Sequence, residues 1–476
     1  MLTTEGTYPY FAGGVSTWAH ALVSGMPEHH FDVVAVAPHP HVGRRFEVPP
    51  NTSVLTVPLW GAERVEEYLP GTEGAFTGAR TTGRVIGAHF LPLIEHLVDQ
   101  LVLSSGDAAG IGDSVTALAG LCGRYDLRKA LRDERVWKLV MHHLSSHPLY
   151  RHASLESVID LARSLYRYLM PLALPLPRAD LSHSSAAAIC ALPCLVAKLR
   201  DGVPIILTEH GIYFRERVLQ LVRDDTTTLR KVMFANFYRG VAQATYGHAD
   251  VIVPVCTYNT TWEAELGVDD AQIRIIHNGV DPDLFEAAES DTTRPTVAFV
   301  GRIDPLKDIL TLIAAAGLVR QAVGDVIFRL YGPDADEAYA AQCRRAVALA
   351  GLESVVIFEG PTNDPAGAYR DSDVVVMSSV SEGFPFSVIE AMMAARPVVA
   401  TAVGGVSEAL DDPDLMVSPR NPQALAAGLV RILGLSELDR RNLGLALRER
   451  AVQRFSQVQF LDGYTTLYEE MRARVA

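Results

Sequence analysis

The sequence predicts an α/β protein of two domains, each a parallel sheet flanked by helices, and three observations carry that expectation. Short β-rich runs alternate with helical segments, the pattern of strands joined by helical crossovers. The runs form two series: 32–37, 54–57, 205–208, 251–254 and 273–276, then 296–300, 326–331, 355–358, 374–377 and 397–401. The polar stretch 281–295, bounded by Pro282 and Pro295, separates them as an interdomain linker would. A length of 476 residues also exceeds one ordinary domain.

Composition narrows the class. The chain is 49% hydrophobic and 21% charged, enough to bury a real core. A net charge of −14 argues against a general nucleic-acid binder, which needs a basic surface. The five cysteines, an odd count in a large chain, read as core residues of a reduced compartment. Glu5 and a Gly/Pro-rich turn interrupt the start, unlike a signal peptide. The apolar run 168–177 carries Pro171, Pro175 and Pro177 and is too short to span a bilayer.

In chain order, residues 1–5 form a short first strand. Gly13-Gly14 follows it, before a helix starting near Val15; glycines there admit close approach of a ligand to backbone N–H groups. Open α/β sheets bind ligands at that end of their strands, although a plain turn reads equally well. Residues from about 60 to 177 break the alternation and read as a helical insertion. Within it Arg128, Arg132 and Arg135, with Lys138, fall at helical spacing: a solvated face, or a cationic patch for an acceptor or acidic partner. His210 lies just past a strong β run and before Gly211, placed to reach a sugar hydroxyl or a carbonyl; a structural histidine is the competing reading. Arg215-Glu216-Arg217 would line an acceptor channel or be surface charge. His39 with His41, and His142-His143 with His147, read as surface or packing residues, not a metal site.

The second series carries the densest chemistry. Arg302 and Lys307 sit at a strand-to-helix turn, where two cations would neutralise a departing diphosphate; two solvated loop cations read equally well. In the segment Ser381–Met392, Glu382 and Glu390 lie eight positions apart around a Gly/Pro turn and a helix start. Glu382 is expected in the turn and Glu390 on the first helical turn, beside N–H groups that attract phosphate. Carboxylates there suit sugar hydroxyls, so the pattern points to a nucleotide diphosphate sugar. Ser387 with Glu390 also fits a capping box that merely ties off the helix. Helices are expected near 422–434, 436–454 and 458–474, the last returning to brace the first domain.

Together these residues resemble the retaining, nucleotide-sugar-dependent glycosyltransferases of family 4, with the GT-B fold. The matching parts are Gly13-Gly14, His210, His277-Asn278-Gly279-Val280-Asp281, Gly301-Arg302 with Lys307, and Glu382 with Glu390. Glu5-Gly6-Thr7-Tyr8-Pro9-Tyr10 and Thr208-Glu209-His210-Gly211-Ile212-Tyr213 look closer still to the cytoplasmic glycosyltransferase subfamily of Pel exopolysaccharide synthesis. The resemblance implies two Rossmann-like domains facing across a cleft: an acceptor-side domain over 1–285, a nucleotide-sugar domain over 293–455 and a returning helix over 456–476.

It also implies roles. Glu382 would contact the donor sugar with backbone N–H groups near Phe384, and Glu390 the ribose. Arg302 and Lys307 would hold the diphosphate, Gly14 approaching it, and His210 would orient the transferred sugar. No divalent metal or other cofactor is implied beyond the donor. The expected activity is transfer of a hexose, from UDP-glucose as the best single donor, to a saccharide or glycosylated acceptor in exopolysaccharide or cell-surface glycan synthesis. The expected location is the cytoplasm, or the inner face of the membrane through a polysaccharide-assembly partner, with no nucleic-acid partner. The alternatives are a GT-B sugar phosphorylase or epimerase, and a non-catalytic nucleotide-sugar scaffold. His277 in place of a frequent proline, Cys256 in place of a small hydroxyl residue and Asp308 in place of a frequent glycine depart from the family pattern.

Overall fold

Runs rich in Val, Ile and Leu form strands where helices cover both faces of a sheet. Two such sheets appear in the computed structural model, which describes residues 1–60, 74–103, 107–122, 124–173, 175–287 and 294–474. The chain divides into two units: Met1–Pro254 with Thr260–Ile275 and Thr465–Ala476, and Val255–Asn259 with Ile276–Tyr464. Linker residues 288–293 and insertion residues 61–73 lie outside the described residues.

The sheet of the first unit contains β1 (Leu2–Glu5), β2 (Phe31–Ala37), β3 (Thr52–Pro58), β4 (Ser182–Ser184), β5 (Ile205–Glu209) and β6 (Val251–Pro254), in the order β3-β2-β1-β4-β5-β6. That of the second contains β7 (Thr296–Val300), β8 (Ile327–Tyr331), β9 (Val356–Gly360), β10 (Val374–Met377), β11 (Val398–Thr401) and β12 (Met416–Val417), in the order β12-β11-β10-β7-β8-β9. Every pairing is parallel. Each sheet therefore reverses direction once, between β1 and β4 and between β7 and β10. The carboxyl ends flanking that reversal are where a doubly wound sheet presents its ligand site.

Two strands and one non-strand depart from expectation. β4 reads Ser-His-Ser yet is fully buried, because its polar atoms find tertiary partners. Ser182 Oγ donates to Pro204 O at 2.9 Å, and the His183 ring meets Tyr468 Oη at 2.7 Å and Thr208 Oγ1 at 2.8 Å. β12 is two residues long, too brief to stand out in sequence. Residues 273–276, expected as a strand, reduce to one bridge between Ile273 and Ile252.

The described part of 60–177 contains helices and no strand. Gly83–Val102 is long and apolar enough to cross a membrane by length and composition, but Phe90, Ile94, Leu97, Val98, Leu101 and Val102 are buried in the core of the first unit. The cationic helix face expected at Arg128, Arg132, Arg135 and Lys138 does not form. One helix, Leu127–Leu131, stops at Arg132, and Asp133 caps a second, Glu134–Ser146. Arg135 pairs with Asp133 and Lys138 with Glu134. The final helix, Gln457–Ala473, starts in the second unit and finishes in the first, where Tyr468 meets His183.

Candidate active site

In the second unit the turn after β7 is built around Asp304, whose carboxylate accepts the N–H groups of Leu306 and Lys307 at 2.9 and 3.2 Å. That capped turn, Pro305–Lys307, delivers Lys307 to the end of β10. Its Nζ lies 2.6 Å from Glu382 Oε1, which also accepts from Ser379 Oγ at 2.5 Å. The side chains of Lys307 and Glu382 keep 17% and 12% of their exposure, so a ligand can reach the pair but little water screens it. Arg302 leans on Asp304 at 3.1 Å with 56% of its side chain exposed. Two cations and two carboxylates, Glu382 and Asp304, thus gather at the β7/β10 reversal.

The turn holding Glu382 is clamped from three sides. Asn278 Nδ2 donates to Phe384 O at 2.9 Å, and Gly405 N donates to Gly383 O at 2.7 Å. Gly404, at φ +55°, packs so closely that a Cβ there would stand 1.9 Å from Glu382 O; only glycine fits. The Phe384 ring is core, 4.9 Å from His277 and 5.0 Å from Phe455, leaving its backbone as the part able to meet a ligand.

The structure moves Glu390. The helix Phe386–Met393 has Pro385 at its N-cap with no side-chain cap, so the Ser387–Glu390 capping box, the competing reading of that pair, is absent. Glu390 is its fifth residue, in the second turn rather than the first. Its Oε2 accepts from Tyr369 Oη at 2.8 Å; burial raises its pKa, and that bond opposes the rise.

Beside Gly404 lies a recess of about 350 Å³ lined by Thr257, Tyr258, Ala402, Gly404, Ser407 and Glu408. Glu408 accepts from Thr257 N at 2.7 Å and Thr257 Oγ1 at 2.9 Å, and meets His277 Nε2 at 2.7 Å. Burial alone would raise its pKa, but these contacts outweigh burial and hold it below the ordinary value. His277, noted in sequence as a departure, therefore anchors Glu408.

In the first unit Gly13 and Gly14 open the helix Gly14–Gly25, both exposed, and a Cβ at Gly13 would meet nothing within 4 Å. His210 leaves the end of β5 with its ring 4.8 Å from that of Trp18. Burial lowers its pKa to about 3, so it is a neutral imidazole at physiological pH, and its Nε2 has no hydrogen-bond partner among the described residues.

Sequence reasoning missed Glu5 as a site residue. At the β1/β4 reversal its Oε1 accepts from Tyr213 Oη at 2.7 Å and Arg217 Nη2 at 3.3 Å, and its Oε2 from Cys190 N at 3.3 Å. Arg217, read as channel lining or surface charge, stacks on Tyr213 and Tyr238. The readable signal was that Glu5 and Tyr213 belong to the two segments singled out together.

Two six-stranded parallel sheets of one strand order, the second carrying Arg302, Lys307 and Glu382 at its reversal, define the GT-B fold. Sucrose-phosphate synthase from Thermosynechococcus elongatus is similar over 99% of both chains, with a TM-score of 0.63 at 19% identity. HepE of Anabaena, solved with UDP-glucose, is similar over 98% of this chain and 99% of its own, with a TM-score of 0.61 at 15% identity. Both likenesses show the fold.

In sequence, residues 1–271 match the family model described as a domain of unknown function (DUF3492), and residues 294–434 that of glycosyl transferases group 1. A D-inositol 3-phosphate glycosyltransferase of Saccharomonospora viridis is 31% identical over 305 residues, 58% of this chain and 67% of its own. A 2-deoxystreptamine glucosyltransferase of Streptomyces kanamyceticus is 32% identical over 190 residues, 37% of this chain and 48% of its own. The chain thus spans about half to two thirds of the length of these curated relatives. It belongs to the glycosyltransferase group 1 family.

Proposed function

We propose that this chain is a retaining glycosyltransferase that moves a hexose from a nucleotide diphosphate sugar to a saccharide or glycosylated acceptor. The observation that carries the reading is the 2.6 Å pair of Lys307 and Glu382 at the β7/β10 reversal, with Arg302 on the same turn. A departing diphosphate needs fixed positive charge in a poorly screened place, which Lys307 would supply, with the more exposed Arg302 on the same turn. Glu382, held by Ser379 and Lys307, is fixed to accept hydrogen bonds from sugar hydroxyls. Glu390 would take the ribose hydroxyls, and backbone N–H groups near Phe384 would assist Glu382. Gly14 and His210 of the first unit would contact the diphosphate and the transferred sugar.

In this scheme the bond from the anomeric carbon to the phosphate oxygen breaks as the acceptor oxygen bonds to that carbon on the same face. The leaving diphosphate takes the acceptor's proton. Neither Glu382 nor Glu390 is then a covalent nucleophile, unlike the carboxylates of retaining hydrolases. UDP-glucose is the first donor to test: the relative from Streptomyces kanamyceticus is a glucosyltransferase, and HepE of Anabaena was solved with UDP-glucose. The reaction would take place in the cytoplasm, in exopolysaccharide or cell-surface glycan synthesis, where a membrane-bound assembly partner would present the acceptor.

The test is a thermal-shift screen of nucleotide sugars, because a ligand that binds only the folded state raises its melting point. UDP-glucose should raise it in the wild type and leave Lys307→Ala unmoved. No shift with any nucleotide sugar would overturn the reading. Release of free sugar phosphate or an epimerised sugar from donor alone would replace it with phosphorolysis or epimerisation.

A further inference from the structure

Glu209 is the last residue of β5 and immediately precedes His210. Its side chain is fully buried, and its Oε1 accepts from the Ala187 N–H at 3.0 Å and from Tyr246 Oη at 3.1 Å. Ala187 follows β4, and Tyr246 lies on the helix Thr228–His248. One carboxyl group thus joins three elements where the His210 turn begins. A second carboxyl group lies within electrostatic reach: Glu263, on the helix Thr257–Glu265, has no exposure, and neither of its oxygens has a hydrogen-bond partner among the described residues. A buried carboxylate so placed is strongly penalised unless it holds a proton.

We infer that Glu209 is a positioning residue for the His210 turn, and that the protonation of Glu263 beside it sets how firmly the turn is held. The part concerning sugar transfer rests on the function proposed above; the positioning does not.

The surroundings isolate the effect. Burial, then the charge of Glu263, raise the Glu209 carboxyl to about 8 against the bonds from the Ala187 N–H, Tyr246 Oη and the Tyr213 N–H, and burial raises Glu263 to about 7. The other titratable groups around them are Tyr246 and Tyr213, both pushed well above 10 by burial, and His210 and His183, both lowered to about 3. Arg215 stacks on Trp262, the residue before Glu263. Between pH 6 and 9 the carboxyl pair alone among these groups changes charge. As it does, two like charges meet in a buried place, and the junction of Ala187, Glu209 and Tyr246 loosens.

The probe is Trp18, whose ring lies 4.8 Å from His210. The full chain is labelled with 5-fluorotryptophan, and the Trp18 fluorine signal is assigned by its loss in Trp18→Phe. In the wild type the signal should move between pH 6 and 9. Glu209→Gln keeps the Oε1 acceptor and cannot ionise, so it should hold the signal at its low-pH position throughout. Glu209→Ala should show the displaced position at every pH, and Glu263→Gln, in which the two like charges can no longer meet, should hold the low-pH position throughout. Turnover with UDP-glucose should fall over the same pH range in the wild type and stay flat in Glu209→Gln. A static wild-type signal, or one midpoint shared by the wild type, Glu209→Gln and Glu263→Gln, would overturn the inference. A moving Trp18 signal without any sugar transfer would support the positioning and count against the transferase reading alone.

Discussion

The two units repeat one strand order and treat charge in opposite ways. At the edge of the second, ions are stabilised: Lys307 pairs with Glu382 at 2.6 Å, Arg302 with Asp304 at 3.1 Å, and Glu408 is held below its ordinary pKa. Beside β4 and β5 of the first, ions are suppressed. His183 and His210 are lowered to about 3, while Glu209 and Glu263 are raised to about 8 and 7. Some residues run against the trend: Glu390 in the second unit is raised by burial, and in the first Glu5 pairs with Arg217 and Lys198 with Asp250 at the start of β5. Topology therefore sets where a site lies, and the local donors decide whether it favours charged or neutral partners. A pyrophosphate suits the second edge; hydroxyl groups suit the first.

The sharpest way to break this contrast is Lys307→Ala. It should lower turnover by at least about 100-fold in a UDP-glucose transfer assay, since removing one preorganised charge-stabilising donor has that scale of effect. Next is Gly404→Ala, which puts a Cβ into the Glu382 carbonyl at a positive φ. Urea unfolding should show a loss of about 4 kcal/mol, the range of strongly strained substitutions.

The neutral edge is tested by pH. The folded-state pKa of Glu263, about 7, lies above its ordinary 4.5. Between those values the unfolded chain releases the proton while the folded chain keeps it, so stability falls as pH rises through that window and levels off above it. The share of that fall due to Glu263 should amount to about 3 kcal/mol, and Glu263→Gln should remove that share in denaturant titrations from pH 5 to 8, leaving the fall due to Glu209. The smallest effect is expected of Asn278→Ala, which deletes the bond to Phe384 O. It should cost about 1 kcal/mol of stability and raise the KM for UDP-glucose while leaving kcat within a few-fold.

Most of the fold was legible because strands buried on both faces must be apolar, and nearly all the expected runs became strands. β4 escaped because its Ser-His-Ser is made burial-compatible by Pro204, Thr208 and Tyr468, partners far apart in sequence. The reverse error, at 273–276, was an apolar run with one strand-like contact. In the site, residue type and strand-end position were enough to single out Lys307 and Glu382. The capping box failed because Pro385, not Ser387, begins the helix. Asn278, Gly404 and Glu263 act through atoms brought to them by folding: a carbonyl oxygen, a close backbone and a set of buried walls. No spacing rule announces those.

The path of the last helix has a consequence for biosynthesis. His183 is made early, but its partner Tyr468 is 285 positions later in the chain. At roughly 5–20 residues per second on the ribosome, the central strand of the first sheet waits tens of seconds for its final hydrogen bond. The unit begun first is thus completed last, and a nascent chain arrested before Thr465 holds an imidazole shorn of its phenol partner.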